Sequence, residues 1–382
     1  MGYNEKKCGP VVLLVFGTRP EAIKMAPVYF ELAGRSDLEV KICVTGQHRE
    51  MLDQVCEIFG LVPDYDLDVM RRNQSMPELC SKLITQISTV YSELKPDLVL
   101  VHGDTMTTLT GSIAAYFQRL PVGHIEAGLR SHNMYSPWPE EFNRRVASII
   151  TKLHFAPTKQ AFDNLVREGM PPNDVTVTGN TVIDALMRIS AEIESDFNFA
   201  KDLELRFNIS EAERLILVTG HRRESFGQGF KDICWALKDL ALSRPETRII
   251  YPVHLNPNVR EPVNEILGNV HNINLIEPLS YKEFTFLMMK SYLILTDSGG
   301  IQEEAPALNK PVLVMRDTTE RPEAVELGVA KLVGTDRKTI FDEVCVLLDN
   351  EAAYEAMAQA ANPFGDGRAS VLIADKIVEF LR

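Results

Sequence analysis

Short apolar runs alternate with longer amphipathic segments along the first half of the chain. The apolar runs lie at 11–17, 40–46, 97–103, 121–127, 153–157 and 175–179. Most of them are continuous rather than alternating, which predicts strands that are buried on both faces. The segments between them have the length of helices, and the clearest are 47–59, 76–94, 106–118, 140–150 and 158–168. This order of elements is typical of a parallel sheet covered by helices on both faces.

The same pattern begins again in the second half, with apolar runs at 215–220, 248–253, 273–277, 292–299, 311–316 and 330–334. A long polar stretch of helical character, about 181–212, separates the two series. We therefore predict two doubly wound Rossmann-like domains, residues 1–180 and residues 181–365, and a final helix over 369–382. Two such domains facing each other would form a cleft, and ligands of open α/β sheets bind beyond the carboxyl ends of the strands.

Composition narrows the classes of function. The chain has 382 residues, which suits two domains of roughly 100–200 residues each. Its 53 acidic and 40 basic side chains give a formal net charge of -13, which argues against a partner such as nucleic acid or an anionic membrane surface. A local cluster of basic side chains can still bind a small anion. No apolar run approaches the ~20 residues of a membrane span.

The six cysteines include no C-x-x-C pair, so neither a disulfide framework nor a zinc site is expected. No histidine spacing suggests a metal site either. The apolar run at 11–17 follows two lysines but lacks a cleavage site, so it is interpreted as a first buried strand rather than a signal peptide. We expect a cytoplasmic protein with reduced thiols.

Polar residues that follow the first predicted strand suggest an anion site. The segment 17–21 reads Gly-Thr-Arg-Pro-Glu, and its proline suits the first turn of a helix. Free N–H groups at that helix start, together with Arg19 and Lys24, would attract an anion. The simpler interpretation is an ordinary helix cap with solvated charges.

Carboxylates follow the next strands of the same predicted sheet. Asp104 follows the run at 97–103, Glu126 ends the run at 121–127, and Glu140 and Glu141 open the helix after the following loop. Each acid alone could be a cap or a surface charge. Carboxylates that share a shielded site raise one another's pKa, so one can hold a proton while another stays ionised. This arrangement favours general acid–base chemistry.

In the second half, His221 precedes two arginines at a strand end, which suits phosphate recognition or proton transfer. Ser298, Gly299 and Gly300 lie between a predicted strand and a helix, where small residues let backbone N–H groups approach a diphosphate. Glu304 would accept hydrogen bonds from ribose hydroxyls, and Arg321 opens the helix after the next strand. No G-x-G-x-x-G follows the first strand and no P-loop occurs, so neither a bound nicotinamide nor P-loop nucleotidase chemistry is expected.

These residues stand within stretches that resemble the non-hydrolysing UDP-N-acetylglucosamine 2-epimerases over nearly the whole chain. The matching stretches are FGTRPEAIKMAP (16–27), GQHREMLDQ (46–54), HGDT (102–105), GHIEAGLR (123–130), PWPEEFNR (137–144), TGNTVIDAL (178–186), GHRRESFG (220–227), PVHLNPNVREPV (252–263), DSGGIQEEAP (297–306) and MRDTTERPEA (315–324). The resemblance implies the two-domain glycosyltransferase-B architecture, with helix 369–382 crossing back to the first domain. It also implies a reaction without a cofactor: elimination of UDP to a 2-acetamidoglucal, followed by re-addition with the opposite configuration at C2.

The resemblance assigns roles to the candidate residues. It makes Asp104, Glu126 and Glu140 the proton-handling carboxylates and His221 a further catalytic or diphosphate-contacting group. The residues that it implies bind UDP are Arg19, Lys24, Phe284, Ser298, Gly299, Gly300, Glu304 and Arg321. One position departs from the pattern, because relatives can carry glutamine where Leu279 stands. We then expect backbone groups rather than that side chain to contact uracil.

Some members of the resembled family bind a second UDP-N-acetylglucosamine as an activator. Gln47, His48, Arg222 and His254 match residues of that allosteric site, whereas a further arginine of the pattern falls at Asn73. The resemblance also implies a homodimer and a product used in surface polysaccharide synthesis.

Three other functions stay open at the level of the sequence. A hydrolysing 2-epimerase would share the elimination step and release free N-acetylmannosamine and UDP. A retaining glycosyltransferase of the same fold would need an acceptor pocket, for which the sequence offers no signal. An inactive UDP-sugar sensor would keep the UDP-binding residues and lose some of the four catalytic candidates, and all four are present.

Overall fold

The protein is described here by a computed structural model that covers residues 9–46, 49–71, 74–210 and 213–382. The chain divides into two compact units. The first runs to Ala185 and also includes Phe364–Arg382, and the second is Leu186–Pro363. Among the described residues, no helix is long and apolar enough to cross a membrane.

The described part of the first unit contains a parallel sheet in the order β3-β2-β1-β4-β5-β6-β7. Its strands are β1 (Val11–Phe16), β2 (Glu39–Val44), β3 (Tyr65–Asp66), β4 (Leu98–His102), β5 (Val122–Ile125), β6 (Leu153–Ala156) and β7 (Val175–Val177). The central strands are buried on both faces, as their continuous apolar runs predict. Strand β3 was not predicted, because two residues carry no periodicity.

Helices connect these strands in the first unit. They are α1 (Arg19–Ala33), α2 (Arg49–Phe59), α3 (Met76–Leu94), α4 (Met106–Phe117), α5 (Glu140–Ile150), α6 (Lys159–Arg167) and α7 (Thr181–Ser195), the last of which continues into the second unit. Two starts are fixed by capping boxes: Thr18 with Glu21 for α1, and Ser75 with Glu78 for α3. Leu83 and Ile87 of α3 pack with the central strands in one apolar core.

The second unit repeats this architecture. Its described sheet is parallel, in the order β10-β9-β8-β11-β12-β13. The strands are β8 (Arg214–Thr219), β9 (Thr247–Pro252), β10 (Ile273–Ile276), β11 (Leu293–Thr296), β12 (Val312–Val314) and β13 (Ala330–Leu332). The helices are α8 (Phe197–Phe207), α9 (Gln228–Ser243), α10 (Pro257–Leu267), α11 (Tyr281–Lys290), α12 (Gly299–Ala307), α13 (Pro322–Glu326), α14 (Arg337–Asp349) and α15 (Glu351–Ala358). The prediction of two doubly wound α/β sheets is confirmed.

The last helix, α16 (Ala369–Leu381), belongs to the first unit and packs on α1. Arg35 donates a 2.7 Å hydrogen bond to Asp375 of α16. Asp184 of α7 accepts a 2.7 Å hydrogen bond from the backbone N–H of Ser370, at the start of α16. The buried Asp184 carboxylate therefore accepts a hydrogen bond from the first turn of α16, where backbone N–H groups have no partner within the helix.

The polar stretch predicted as one helical segment is two helices. Asp196 separates α7 from α8, and its side chain accepts a 3.0 Å hydrogen bond from the backbone N–H of Phe199. A short polar side chain at this position suits a helix N-cap better than a helix interior.

Candidate active site

The loop between β1 and α1 is organised by the buried carboxylate of Glu21. The backbone N–H groups of Gly17 and Thr18 donate to Glu21 Oε2 at 3.0 and 2.8 Å, and the Thr105 hydroxyl donates to Oε1 at 2.7 Å. Burial raises the pKa of Glu21, although these hydrogen bonds act to lower it. The N–H groups of Gly17 and Thr18, just before the helix start, are therefore satisfied within the loop. The predicted anion-binding side chains both belong to α1: Arg19, its half-buried first residue, and Lys24.

Lys24 and Glu126 form a partly buried ion pair. The amide Nδ2 of Asn180 donates a 2.9 Å hydrogen bond to the same oxygen, Glu126 Oε2. The Nε2 atom of His102 lies 3.9 Å from that oxygen. Glu126 also has a φ of 62°, a left-handed conformation that is costly for a residue with a side chain. The surroundings therefore hold this carboxylate in one orientation at the carboxyl end of β5.

Asp104 follows β4 and is paired with Arg144 of α5, with Nη1 2.5 Å from Oδ2. Burial raises the pKa of Asp104. Arg144 opposes this shift, and the nearby Glu126 and Glu140 carboxylates add to it. Lys24 also acts on Asp104 electrostatically. The sequence-predicted acids Glu126 and Glu140 and the base Lys24 are thus close enough to Asp104 to act on it electrostatically.

Glu140 and its neighbour Glu141 differ in their surroundings. Glu141 is fully buried, accepts a 3.0 Å hydrogen bond from the backbone N–H of Ser131, and pairs with Arg144 and Arg145. Burial would raise the pKa of Glu141, but these partners hold it below its usual value. Glu140 Oε2 is a buried atom that has no hydrogen-bond partner within the described part of the chain. The carboxylate of Glu141 is therefore bound by partners within the first unit, whereas Glu140 keeps one buried oxygen without a hydrogen-bond partner among the described residues.

Three buried histidines stand on neighbouring strands of the first unit, where His124 and His154 are register partners and His102 pairs with Ile125. They are His102, His124 and His154, on β4, β5 and β6. Burial lowers their pKa values to about 4, about 4 and about 3. All three imidazoles are therefore neutral at pH 7, and they add no positive charge beside the carboxylates.

In the second unit, Asp297 holds the loop that carries His221. Its Oδ2 accepts hydrogen bonds from the backbone N–H groups of His221 and Arg222 at 2.6 and 2.7 Å, and its Oδ1 lies 3.2 Å from Nδ1 of His221. Although burial acts in the opposite direction, the contacts with His221 hold the pKa of Asp297 below its usual value. Asp297 therefore fixes the backbone of this loop and lies beside the Nδ1 edge of the His221 ring.

The candidate allosteric residues are only partly described. The rings of His221 and His254 stack with their centroids 5.5 Å apart, and burial lowers the pKa of His254. The backbone of Arg222 contacts Asp297, as stated above. Gln47 and His48 lie outside the described residues.

The turn between β11 and α12 has the properties of an anion cradle. Ser298 is the N-cap of α12, and Gly299 and Gly300 are its first two residues. A Cβ added to Gly299 would lie 2.8 Å from Nη1 of Arg321, so glycine allows the guanidinium to approach the helix start. Arg321 is the N-cap residue of α13, and its Nε donates a 2.8 Å hydrogen bond to Glu303.

Glu304 lies on the same helix and is nearly buried. Its Oε1 accepts a 2.7 Å hydrogen bond from the hydroxyl of Tyr281, the first residue of α11. Phe284 lies one turn further along α11 and is half-buried. Tyr281 was not among the predicted site residues, because a tyrosine that opens a helix gives no distinctive pattern in the sequence.

Three more residues at these sites were not predicted: Arg144, Asn180 and Asp297. Asn180 and Asp297 follow strands of the two sheets, which is the position used to find the other candidates, and Arg144 lies four residues after Glu140. Within the described residues, no group of three or more His, Cys, Asp or Glu side chains has an arrangement that could hold a metal ion.

Two doubly wound parallel α/β units, with polar residues at the carboxyl ends of their strands, define the class as the glycosyltransferase-B architecture. The family model described as UDP-N-acetylglucosamine 2-epimerase matches residues 31–378. The chain belongs to this family of isomerases.

The relatives support this membership over nearly their full length. The chain is 56% identical to a probable UDP-N-acetylglucosamine 2-epimerase of Ralstonia solanacearum, over 96% of this chain and 98% of that protein. It is 54% identical to the UDP-N-acetylglucosamine 2-epimerase of Escherichia coli K12, with the same coverage. The crystal structure of the Neisseria meningitidis UDP-GlcNAc 2-epimerase bound to UDP-GlcNAc is 51% identical, with a TM-score of 0.90, and covers 97% of this chain and all of that one.

Proposed function

We propose that the protein interconverts UDP-N-acetylglucosamine and UDP-N-acetylmannosamine by eliminating UDP and adding it back. The observation that carries this proposal is the cluster formed by Asp104 and Glu126, which follow neighbouring strands, with Lys24 of α1 and Glu140 of α5. It combines an acid whose pKa is raised with a carboxylate that is paired with a cation. The N. meningitidis relative, whose structure is bound to UDP-GlcNAc, supports the choice of substrate.

The chemistry requires two proton transfers at one carbon. The proton on C2 is only weakly acidic, so its removal is coupled to the departure of UDP from C1. A carboxylate takes the C2 proton, the C1–O bond breaks with its electron pair on the UDP oxygen, and a C1=C2 double bond forms. In the reverse step the UDP oxygen attacks C1 and a second acid delivers a proton to the other face of C2. Atoms and electrons balance without an oxidant.

The cluster in the first unit suits these steps. Glu126 is paired with Lys24, and a neighbouring cation favours the ionised carboxylate that a base requires. Asp104 has a raised pKa, which suits a group that carries a proton during part of the cycle. Glu140 offers a buried oxygen that is available to the sugar. Since the reaction is reversible, the base of one direction is the acid of the other.

The residues of the second unit suit the UDP part of the substrate. The start of α12 at Ser298, Gly299 and Gly300 offers backbone N–H groups to a diphosphate, and Arg321 adds a positive charge beside them. Glu304, oriented by Tyr281, is an acceptor for ribose hydroxyls. His221, fixed by Asp297, stabilises the diphosphate as it leaves C1.

The proposal is tested by incubating the protein with UDP-N-acetylglucosamine in deuterated water and analysing all products by NMR and mass spectrometry. Epimerisation predicts deuterium at C2 of both UDP-sugars and no free sugar. Free N-acetylmannosamine with UDP would instead identify a hydrolysing 2-epimerase, and the absence of exchange at C2 would contradict both functions.

We further propose that the enzyme acts as a homodimer in the cytoplasm, that its product supplies surface polysaccharide synthesis, and that substrate activates it at a second site near Arg222 and His254. Activation predicts that added UDP-N-acetylglucosamine increases the initial rate with UDP-N-acetylmannosamine. A strictly hyperbolic rate that does not respond to this addition would contradict activation. Light scattering of the purified protein tests the dimer.

A further inference from the structure

Both the oxygen and the nitrogen of the Asn180 side-chain amide form hydrogen bonds. Its Oδ1 accepts a 3.1 Å hydrogen bond from the backbone N–H of Val182, at the start of α7, and its Nδ2 donates to Glu126 Oε2 at 2.9 Å. The residue is almost fully buried. Because the oxygen is fixed by the start of the helix, the NH2 group can point in only one direction, toward Glu126.

The contact selects one oxygen of the Glu126 carboxylate. Lys24 and Asn180 both bind Oε2, and His102 Nε2 lies 3.9 Å from the same atom. The other oxygen, Oε1, lies toward the loop after β4, where a Cβ built on Gly103 would be 3.7 Å away. Asp104 follows Gly103 directly. Oε1 is thus the oxygen on the side of the second candidate acid.

Asn180 also lies where the chain leaves the first unit and where it returns. Its backbone N–H donates a 2.7 Å hydrogen bond to the carbonyl of Phe364, the first residue of the returning segment. The adjacent Gly179 has a φ of 87°, and a Cβ there would lie 3.2 Å from the Cα of Gly365. Asn180 therefore contacts Glu126 through its side chain and the returning segment through its backbone, and it lies near the point where the chain leaves the first unit.

We propose that Asn180 is a positioning residue for the proton-transfer step: it holds Glu126 Oε2 so that Oε1 faces C2 of the sugar. This inference rests on the proposed epimerisation. The ammonium of Lys24 supplies charge but sits on a flexible stem, so it does not define a direction. The amide of Asn180 defines the direction and adds no charge. Its loss should slow the chemical step and leave UDP binding intact.

Two substitutions separate this role from helix capping. Asn180→Asp and Asn180→Ser both keep a side-chain oxygen that can accept from the Val182 N–H. Aspartate replaces the donor to Glu126 with a second carboxylate, and serine is too short to reach it. The matched control is Asn164→Asp, because Asn164 is an equally buried amide whose Nδ2 donates, at 3.0 Å, to the backbone carbonyl of Gly128 and not to a carboxylate.

We expect both Asn180 variants to lower kcat by about 10- to 100-fold, the loss typical of one hydrogen bond to a charged group. KM and the affinity for UDP should stay within about threefold of wild type, because the lost contact acts on the reaction and not on binding. The control should retain its kcat per folded molecule. C2 deuterium exchange should fall in parallel with kcat.

Other outcomes overturn the inference. A normal kcat with only a lower melting temperature in both variants would show that Asn180 is merely a cap. Failure of both variants to fold would lead to the same conclusion. Lack of C2 exchange in the wild-type protein would overturn the proposed function and the inference with it, and this result differs from a defect confined to the variants.

Discussion

The three buried histidines predict how the stability of the protein depends on pH. His102, His124 and His154 have folded-state pKa values of about 4, about 4 and about 3, against 6.5 for a solvated imidazole. The unfolded chain takes up protons below pH 6.5, and the folded chain does so only near pH 4. Their contribution to stability is therefore fully present above pH 6.5 and is lost as the pH falls toward 4.

The magnitude follows from these shifts. For one imidazole that titrates near 6.5 when unfolded and near 4 when folded, the free energy of unfolding falls by about 2 kcal/mol between pH 7 and pH 5, so the three groups together cost about 6 kcal/mol. This is a large part of the ~5–15 kcal/mol by which folded proteins are usually stable.

The perturbation is His154→Gln, which removes one of these groups without touching Glu126. Urea unfolding, followed by circular dichroism at pH 7 and pH 5, gives the free energy of unfolding of the variant and of wild type. The variant is expected to lose about 2 kcal/mol less than wild type between the two pH values. His271→Gln, at an exposed position of the second unit, is the control. An equal loss in wild type and His154→Gln would refute the assignment of a buried, neutral imidazole.

Two further predictions concern the site. Asp104→Asn should lower kcat by about 100-fold or more, as expected for loss of a proton-transfer group, and should leave the affinity for UDP nearly unchanged. Glu304→Ala should instead weaken UDP binding, measured by calorimetry. Similar losses of UDP binding in both variants would contradict this division of roles. Glu21→Ala leaves buried donors without an acceptor and should lower the free energy of unfolding by about 3 kcal/mol in urea. Glu78→Ala, in the exposed capping box of α3, should have a much smaller effect, and equal effects would contradict the role given to burial.

The sequence predicts most of the fold because burial and helix capping leave local patterns. The bounds of α3 and α5 agree with the predicted segments 76–94 and 140–150, since each begins at a proline or acidic start signal and ends where the apolar period stops. The two-residue strand β3 and the break at Asp196 were missed, because their signals are too short to separate from loop and helix.

The candidate site is less predictable because its electrostatics depend on contacts between distant segments. Lys24 and Glu126 are separated by 102 positions, and nothing in either loop predicts that they form an ion pair. Thr18 and Glu21 form a recognisable capping box, but the burial that makes Glu21 an acceptor for Thr105 arises only when two strands pair. Asn180 and Glu126, 54 positions apart, likewise meet only in the folded chain.

The central claim is that the C1–O bond of the sugar breaks during epimerisation. UDP-N-acetylglucosamine labelled with oxygen-18 at the atom that joins C1 to the β-phosphorus tests it directly, with the label located by phosphorus NMR. Elimination predicts that the label spreads to the nonbridging oxygens of the β-phosphate while the C2 epimer forms. Formation of the epimer with the label still wholly at the bridging position would contradict the account.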